Sequence, residues 1–212
     1  MKNKSKLELS NVKTPLGPDV TALNVLSKIM KLREILAGFI YDEKESIKIP
    51  HKRIDALHEL INLNSGKIII WSNFVHCINE ICAFLEKNYG NQSYVKYDGS
   101  STNRDSLVNT FSNSDYCRFF VGNQSIGGYG LTLVASSTMI YYTNDYSFKT
   151  RLQSEDRIHR IGQNKSVLYI DMQVQGTIDS RILDILKNKN KLYESIMNNG
   201  LLLRDMLDED EV

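Results

Sequence analysis

The residues with the most chemical potential in this sequence lie between Arg151 and Gln163, RLQSEDRIHRIGQ. On a helix turning about 100° per residue, Gln153, Arg157 and Arg160 fall at i, i+4 and i+7, and so on one face. Lys149 precedes them on the same stripe. Two guanidiniums one turn apart repel each other, so an anion outside the helix best explains them. Arginine offers a planar, permanently charged fork that suits phosphate oxygens. The blander reading pairs both arginines with Glu155 and Asp156 or leaves them in solvent. A second segment, GNQSIGGYGLTL at 122–133, places Gly127, Gly128 and Gly130 just after a predicted strand. Such glycines let backbone N–H groups approach phosphate oxygens. They do not form a GxGxxG fingerprint, because Leu133 stands where the last glycine belongs.

Two more segments carry small polar groups. In YDGSST (97–102), Asp98 and Gly99 end a strand, and Ser100, Ser101 and Thr102 supply hydroxyls. Hydroxyls and free N–H groups at a helix start suit a nucleic-acid phosphate. Thr102 with Asp105 also resembles a helix cap. In WSNF (71–74), Ser72 and Asn73 suit either a phosphate or the cap of the next helix, and Trp71 reads as core.

These segments need elements to hold them. KIIIW (67–71) is a short apolar run, the pattern of a strand buried on both faces of a parallel sheet. A helix over 75–88 follows, with Val75, Ile78, Cys82 and Leu85 on one face. Strands are then expected at 94–97, 117–122, 138–142 and 166–174. Helices are expected at 102–111, 147–161 and 177–198, with 125–134 a loop leading into a short helix. Gly162 suits the C-cap of the 147–161 helix. Upstream, 19–41 and 52–64 read as helices and 42–50 as a charged connector. Alternating strands and helices indicate an α/β, doubly wound, mainly parallel sheet. In such folds the chemistry gathers beyond the carboxyl ends of the strands, where SNF after 71, DGSS after 97, NQSIGGYGL after 122 and NDYS after 142 fall.

Taken in this order, the segments resemble the second, C-terminal RecA-like (P-loop NTPase-type) lobe of the Swi/Snf-type ATPases of helicase superfamily two. IIIWSNF looks like motif IV, YDGSS like the following Asp-Gly motif, QSIGGYGLTL like motif V and QSEDRIHRIGQ like motif VI. The resemblance runs from about residue 25 to 197. LREILAGFIYDE and IPHKRIDALHEL are similar to segments of the compact phage and prophage variant. The resemblance implies domains at 1–65 (a helical lead-in from a first lobe), 66–198 (the lobe) and 199–212 (an acidic tail). It implies that Arg157 and Arg160 act as arginine fingers on ATP held with Mg2+ by the first lobe. Gln153, Asp156, Gly128 and Gly130 would border the nucleotide. Ser72, Asn73, Asp98, Gly99, Ser100, Gln124 and Gly127 would lie along double-stranded DNA. Asp156 would orient an arginine. The Trp-Asn-Pro common before motif VI is replaced here by Asp145-Tyr146-Ser147-Phe148, with Tyr146 as the available aromatic surface.

Composition sets the bounds. The chain has 212 residues, 42% hydrophobic and 24% charged, which is ordinary for a globular protein. Net charge is +1, so average composition gives no nucleic-acid signal. The charges are uneven, however: basic residues gather at 147–165 and acids at 205–212. No metal site is read, since Cys77, Cys82 and Cys117 are few and the histidines are scattered. No apolar run approaches the roughly 20 residues of a membrane span, and the start MKNKSKLEL lacks a secretory apolar region. The expected location is bacterial or infected-cell cytoplasm. GxxxxGK[ST] does not occur, and Gly66-Lys67 is followed by Ile68. The length fits one such lobe, so the expectation is half of an ATP-dependent DNA motor. The alternative is a non-enzymatic DNA- or partner-binding remnant of a split motor gene.

Overall fold

A computed structural model describes residues 10–12, 20–22, 25–42, 45–126 and 131–208. The first half contains strands β1 (Ser10–Val12) and β2 (Val20–Ala22), helix α1 (Val25–Leu36), strands β3 (Phe39–Asp42) and β4 (Glu45–Lys48), and helix α2 (Arg53–Asn62). Then come β5 (Ile68–Trp71), α3 (Val75–Tyr89), β6 (Tyr94–Tyr97), α4 (Arg104–Asn113) and β7 (Phe119–Gly122). The chain continues through β8 (Thr138–Tyr141), α5 (Phe148–Glu155), β9 (Leu168–Asp171) and α6 (Ile178–Asp208).

The apolar run at β5 becomes the middle strand of a five-stranded parallel sheet, in the order β6-β7-β5-β8-β9. Alternate side chains feed two cores. Ile68 and Ile70 join Cys77, Ile78, Ile81 and Leu85 of α3 on one face. Ile69 and Trp71 join Phe111 of α4, Leu133 and Ile158 on the other. Burial on both faces explains why β5 has no polar alternation. Gly122 ends β7 where only glycine fits: a Cβ there would lie 2.4 Å from the Tyr97 carbonyl oxygen. The α/β, doubly wound, RecA-like reading is what the sheet shows.

Several bounds differ from expectation, each for a local reason. The first helix stops at Leu36 rather than at 41. Gly38 turns the chain at φ +90°, and its carbonyl accepts from Ile49 N at 2.8 Å. Strands β3 and β4 then pair antiparallel, so the 42–50 segment read as a connector carries strand residues. Helix α4 starts at Arg104 after Asn103 in the left-handed region, with no side-chain cap, so the Thr102–Asp105 cap does not form. The described part of 125–134 contains turns and no helix. Val75 is exposed while Ile78, Cys82 and Leu85 are buried. Helix α5 ends at Glu155 instead of 161, and α6 runs to Asp208.

The residues before the sheet are built into it. Ala37, Phe39, Leu57 and Ile61 belong to the same buried cluster as Ile68 and Ile70. Arg53 fastens this packing: its Nε donates to Leu36 O at 2.9 Å, and its other nitrogens reach Tyr142 O and the Asp179 carboxylate. No helix among the described residues is long and apolar enough to cross a membrane.

Candidate nucleotide and nucleic-acid site

Strands β5 and β8 are neighbours, and the residues just past their ends meet. Ser72 Oγ lies 3.0 Å from Thr143 Oγ1, and the Asn73 amide donates to that same oxygen at 2.9 Å. Gln124, two residues past β7, donates from Nε2 to Asn73 Oδ1 at 2.8 Å. Asn123 Nδ2 donates to Asn73 O at 3.2 Å. Arg157 reaches this cluster from the other side of the chain. Its Nη2 donates to Gln124 O at 3.3 Å, and its guanidinium lies 5.2 Å from the Trp71 ring centroid. Ser72, Asn73, Gln124 and Arg157, remote in sequence, therefore form one connected group. Among the described residues, the buried Asn73 Nδ2 and Gln124 Oε1 have no hydrogen-bond partner. Leaving such atoms unmet costs about 1–3 kcal/mol each, so the cluster retains unused donor and acceptor capacity.

The β6 turn lies beside it, with the Asn123 amide donating to Tyr97 O at 3.1 Å. Asp98 is buried and holds this turn. Its carboxylate accepts from Ser100 N at 3.0 Å and Ser100 Oγ at 2.6 Å, and pairs with Lys96 at 2.9 Å. Burial pushes the Asp98 pKa up, but the bonds from Lys96 and Ser100 outweigh it and hold the group at about 2. An ionised, already satisfied carboxylate shapes the turn and does not attract phosphate. Gly99 and Ser100 remain exposed beside it.

The motif VI segment departs from the expected helix. Ser147 caps α5, accepting from Thr150 N at 3.2 Å. The helix then gives way to turns at Asp156, because tertiary contacts draw the next residues inward. Leu133 N donates to Arg157 O at 2.9 Å, Ile158 is fully buried, and Arg157 is only 4% exposed. Gln153, Arg157 and Arg160 thus do not share a helical face. Gln153 and Asp156 are exposed, apart from the cluster. Asp156 carries an arginine through its backbone: its carbonyl accepts from Arg160 Nε at 2.9 Å. Its carboxylate pairs with no arginine among the described residues. Glu155 pairs with Arg151, which also holds Asp171. Arg160 is exposed, donates to Thr132 Oγ1 at 3.2 Å, and lines a cleft of about 360 Å³ with His159 and Lys165. Burial lowers the pKa of Arg157, and Arg160 lowers it further, while Tyr97 and Tyr141 oppose both.

Gly127, Gly128 and Gly130 lie outside the described residues. Tyr146 is half-buried, with Arg33 5.8 Å from its ring centroid and the cluster of Ile182, Leu183 and Leu186 packed against it. The cysteines are free and buried, with burial pushing Cys77 and Cys82 up to about 12. Among the described residues no group of histidine, cysteine or acidic side chains could hold a metal ion. Sequence reasoning missed Thr143, Asn123 and Thr132. Thr143 and Asn123 were discoverable as polar residues within two positions of a buried strand's carboxyl end.

The geometry is that of a RecA-like α/β lobe with a polar cluster at the carboxyl ends of its strands. Residues 52–162 match the helicase conserved C-terminal domain family, more than half of the chain, and the chain belongs to it. It is 29% identical over 161 residues to the human chromatin-remodeling ATPase INO80, covering 75% of this chain and 10% of that protein. The Arabidopsis thaliana INO80 ATPase is 28% identical over 149 residues, 69% of this chain and 10% of the relative. The chain thus spans about a tenth of the length of these relatives, and its similarity is to Snf2-type ATPases. The crystal structure of the C-terminal part of the Fun30 ATPase domain superposes with a TM-score of 0.59 at 24% identity. That match covers 63% of this chain and 44% of the other, and shows the shared fold.

Proposed function

We propose that this chain is the second lobe of an ATP-dependent DNA translocase, gripping duplex DNA and completing an ATP site built mainly by a first lobe. The observation that carries this reading is the joining of Ser72, Asn73, Thr143 and Gln124 to Arg157. The group that would touch DNA and the segment that would touch nucleotide are mechanically one unit. Small polar groups and amides at strand ends suit a regular phosphate backbone. Asn73, Gly99 and Ser100 would line the strand, with Gly127 beside them, while the buried Ser72, Asp98 and Gln124 hold its shape from within.

ATP with Mg2+ would bring a polyphosphate whose charge grows during transfer. Arg160, exposed beside Thr132, fits that anion and acts as the finger. Arg157 supports it from the interior, and Gln153, Asp156, Gly128 and Gly130 border the nucleotide. The segment 1–65 would lead in from the first lobe, with α2 packed into the core, 66–198 would carry the sheet, and 199–212 would follow as a tail. On the lead-in sequences, the reading extends to a phage or prophage variant working in bacterial cytoplasm.

The test pairs the chain with a first lobe bearing a P-loop and measures DNA-stimulated ATP hydrolysis. Arg160→Ala is expected to lower the rate by about 10³-fold or more. An unchanged rate removes the finger assignment. Salt-sensitive DNA binding without hydrolysis in any pairing would support the non-enzymatic reading instead.

A further inference from the structure

Arg33 is a buried cation in the LREILAGFIYDE segment to which no role has been assigned above. It lies on α1 and is 8% exposed. Its Nη2 donates to the carbonyl oxygen of Asn144 at 2.8 Å, and its Nη1 lies 3.6 Å from Asp145 Oδ1. Its guanidinium carbon is 5.3 Å from the Phe74 ring centroid and 5.8 Å from that of Tyr146. One side chain therefore touches the segments that follow both β5 and β8. A guanidinium can do this because it donates in its plane and stacks on its faces. Between those two segments lie the Ser72–Thr143 and Asn73–Thr143 contacts. On the far side Asn144 is held by its own amide, which donates to Asp171 Oδ1 at 2.8 Å, and by Arg151 Nη1 at 3.1 Å.

We propose that Arg33 is a positioning residue for the strand-end cluster. It fixes the 143–146 turn from the α1 side, so that Thr143 stays where Ser72 and Asn73 meet it. Its consequence for DNA rests on the translocase reading above, whereas its geometry does not. Displacing α1 moves Asn144, and Thr143 with it, so a pull on the lead-in loosens the grip. The lead-in is then a lever as well as a linker.

The experiment compares amide hydrogen exchange in the full chain and its Arg33→Met variant by NMR. Asn73 N–H donates to Thr143, and Ile68 N–H, on the same strand segment, donates to Arg118 O at 2.9 Å. Global destabilisation speeds both amides alike, whereas loosening of the turn speeds Asn73 alone. The expected result is acceleration of Asn73 by about tenfold relative to Ile68. Arg33→Lys, which keeps the charge and one donor, should give an intermediate ratio and serves if Arg33→Met does not fold. Arg118→Ala is the control at the opposite end of the sheet, where Arg118 donates to Gly66 O and Ile61 O at 3.0 Å. It should not accelerate Asn73 selectively. Equal acceleration, or none, overturns the positioning role. In parallel, anisotropy with a labelled duplex should show Arg33→Met binding about tenfold more weakly, or about 1.4 kcal/mol, and Arg118→Ala binding as the parent does. Selective exchange with unaltered duplex affinity overturns the link to grip. A parent chain that binds no duplex sinks the translocase reading, and the exchange ratio still decides the role of Arg33.

Discussion

Arg157 and Arg160 are three residues apart and face opposite conditions. Arg157 sits under Gln124 O and over the Trp71 ring, while Arg160 stands in solvent against Thr132. Replacing each by alanine should therefore separate stability from catalysis. Arg160→Ala should leave the thermal midpoint unchanged and reduce paired ATPase. Arg157→Ala should do both, lowering unfolding free energy by about 1–3 kcal/mol because a buried carbonyl loses its donor. Trp71, the one tryptophan, gives the optical signal for chemical denaturation.

The carboxylates make a pH prediction at the same scale. Glu80 lies 2.6 Å from Lys48 Nζ and 3.1 Å from His51 Nε2. Burial pushes its pKa up, but those two partners outweigh burial and hold it at about 2. Asp98 behaves in the same way. A pKa lowered by folding stabilises the chain fully above the ordinary carboxylate value near 4, and that stabilisation is lost as pH falls toward 2. Each group contributes on the order of 2 kcal/mol. Urea unfolding at pH 5 and pH 2.5 should show a smaller acid loss for Glu80→Gln than for the parent. Equal losses would show that Glu80 is not so depressed.

At the scale of elements, glycine decides two junctions. Gly38 ends α1 at φ +90°, and a Cβ there would lie 1.9 Å from His51 Cδ2. Gly122 lets β7 close on β6. Alanine at either site must move the backbone or a packed ring, and should cost about 2–4 kcal/mol. For Gly38→Ala the loss should appear first as faster exchange in the β3–β4 pair, and protection unaltered there would count against the argument. The pair also shows where sequence periodicity fails. Leu36 and Ile40 fit a helical stripe, but Gly38 turns the chain between them, and Phe39 and Ile40 are buried as strand residues. Helix α5 stops early for a related reason, since burial of Arg157 and Ile158 outweighs the local helical pattern.

At the scale of the molecule, the lead-in and the lobe share one core. Leu57 is fully buried in the cluster that holds Ile70 and Ile140. Leu57→Ala should destabilise the whole by about 2–5 kcal/mol. Trp71 fluorescence and helix circular dichroism should still report one coincident transition. Two separated transitions would mean that the lead-in folds apart from the sheet.

The sequence by itself determined the class of architecture and the strand ends at which polar residues gather. Continuous apolar runs such as Ile68–Trp71 have few other uses, and a buried parallel strand must end in a solvated turn. It also carried the motif order that marks the family, because residue type and spacing survive in a linear string. Only the tertiary structure decided which of those residues meet. Thr143 is central because β8 lies beside β5, and Arg33 matters because its side chain reaches from α1 to the segments after both. Arg157 left its helix because Trp71 and Gln124 offered it a buried site. These are contacts between residues tens of positions apart, set by sheet order and packing, and no local spacing encodes them.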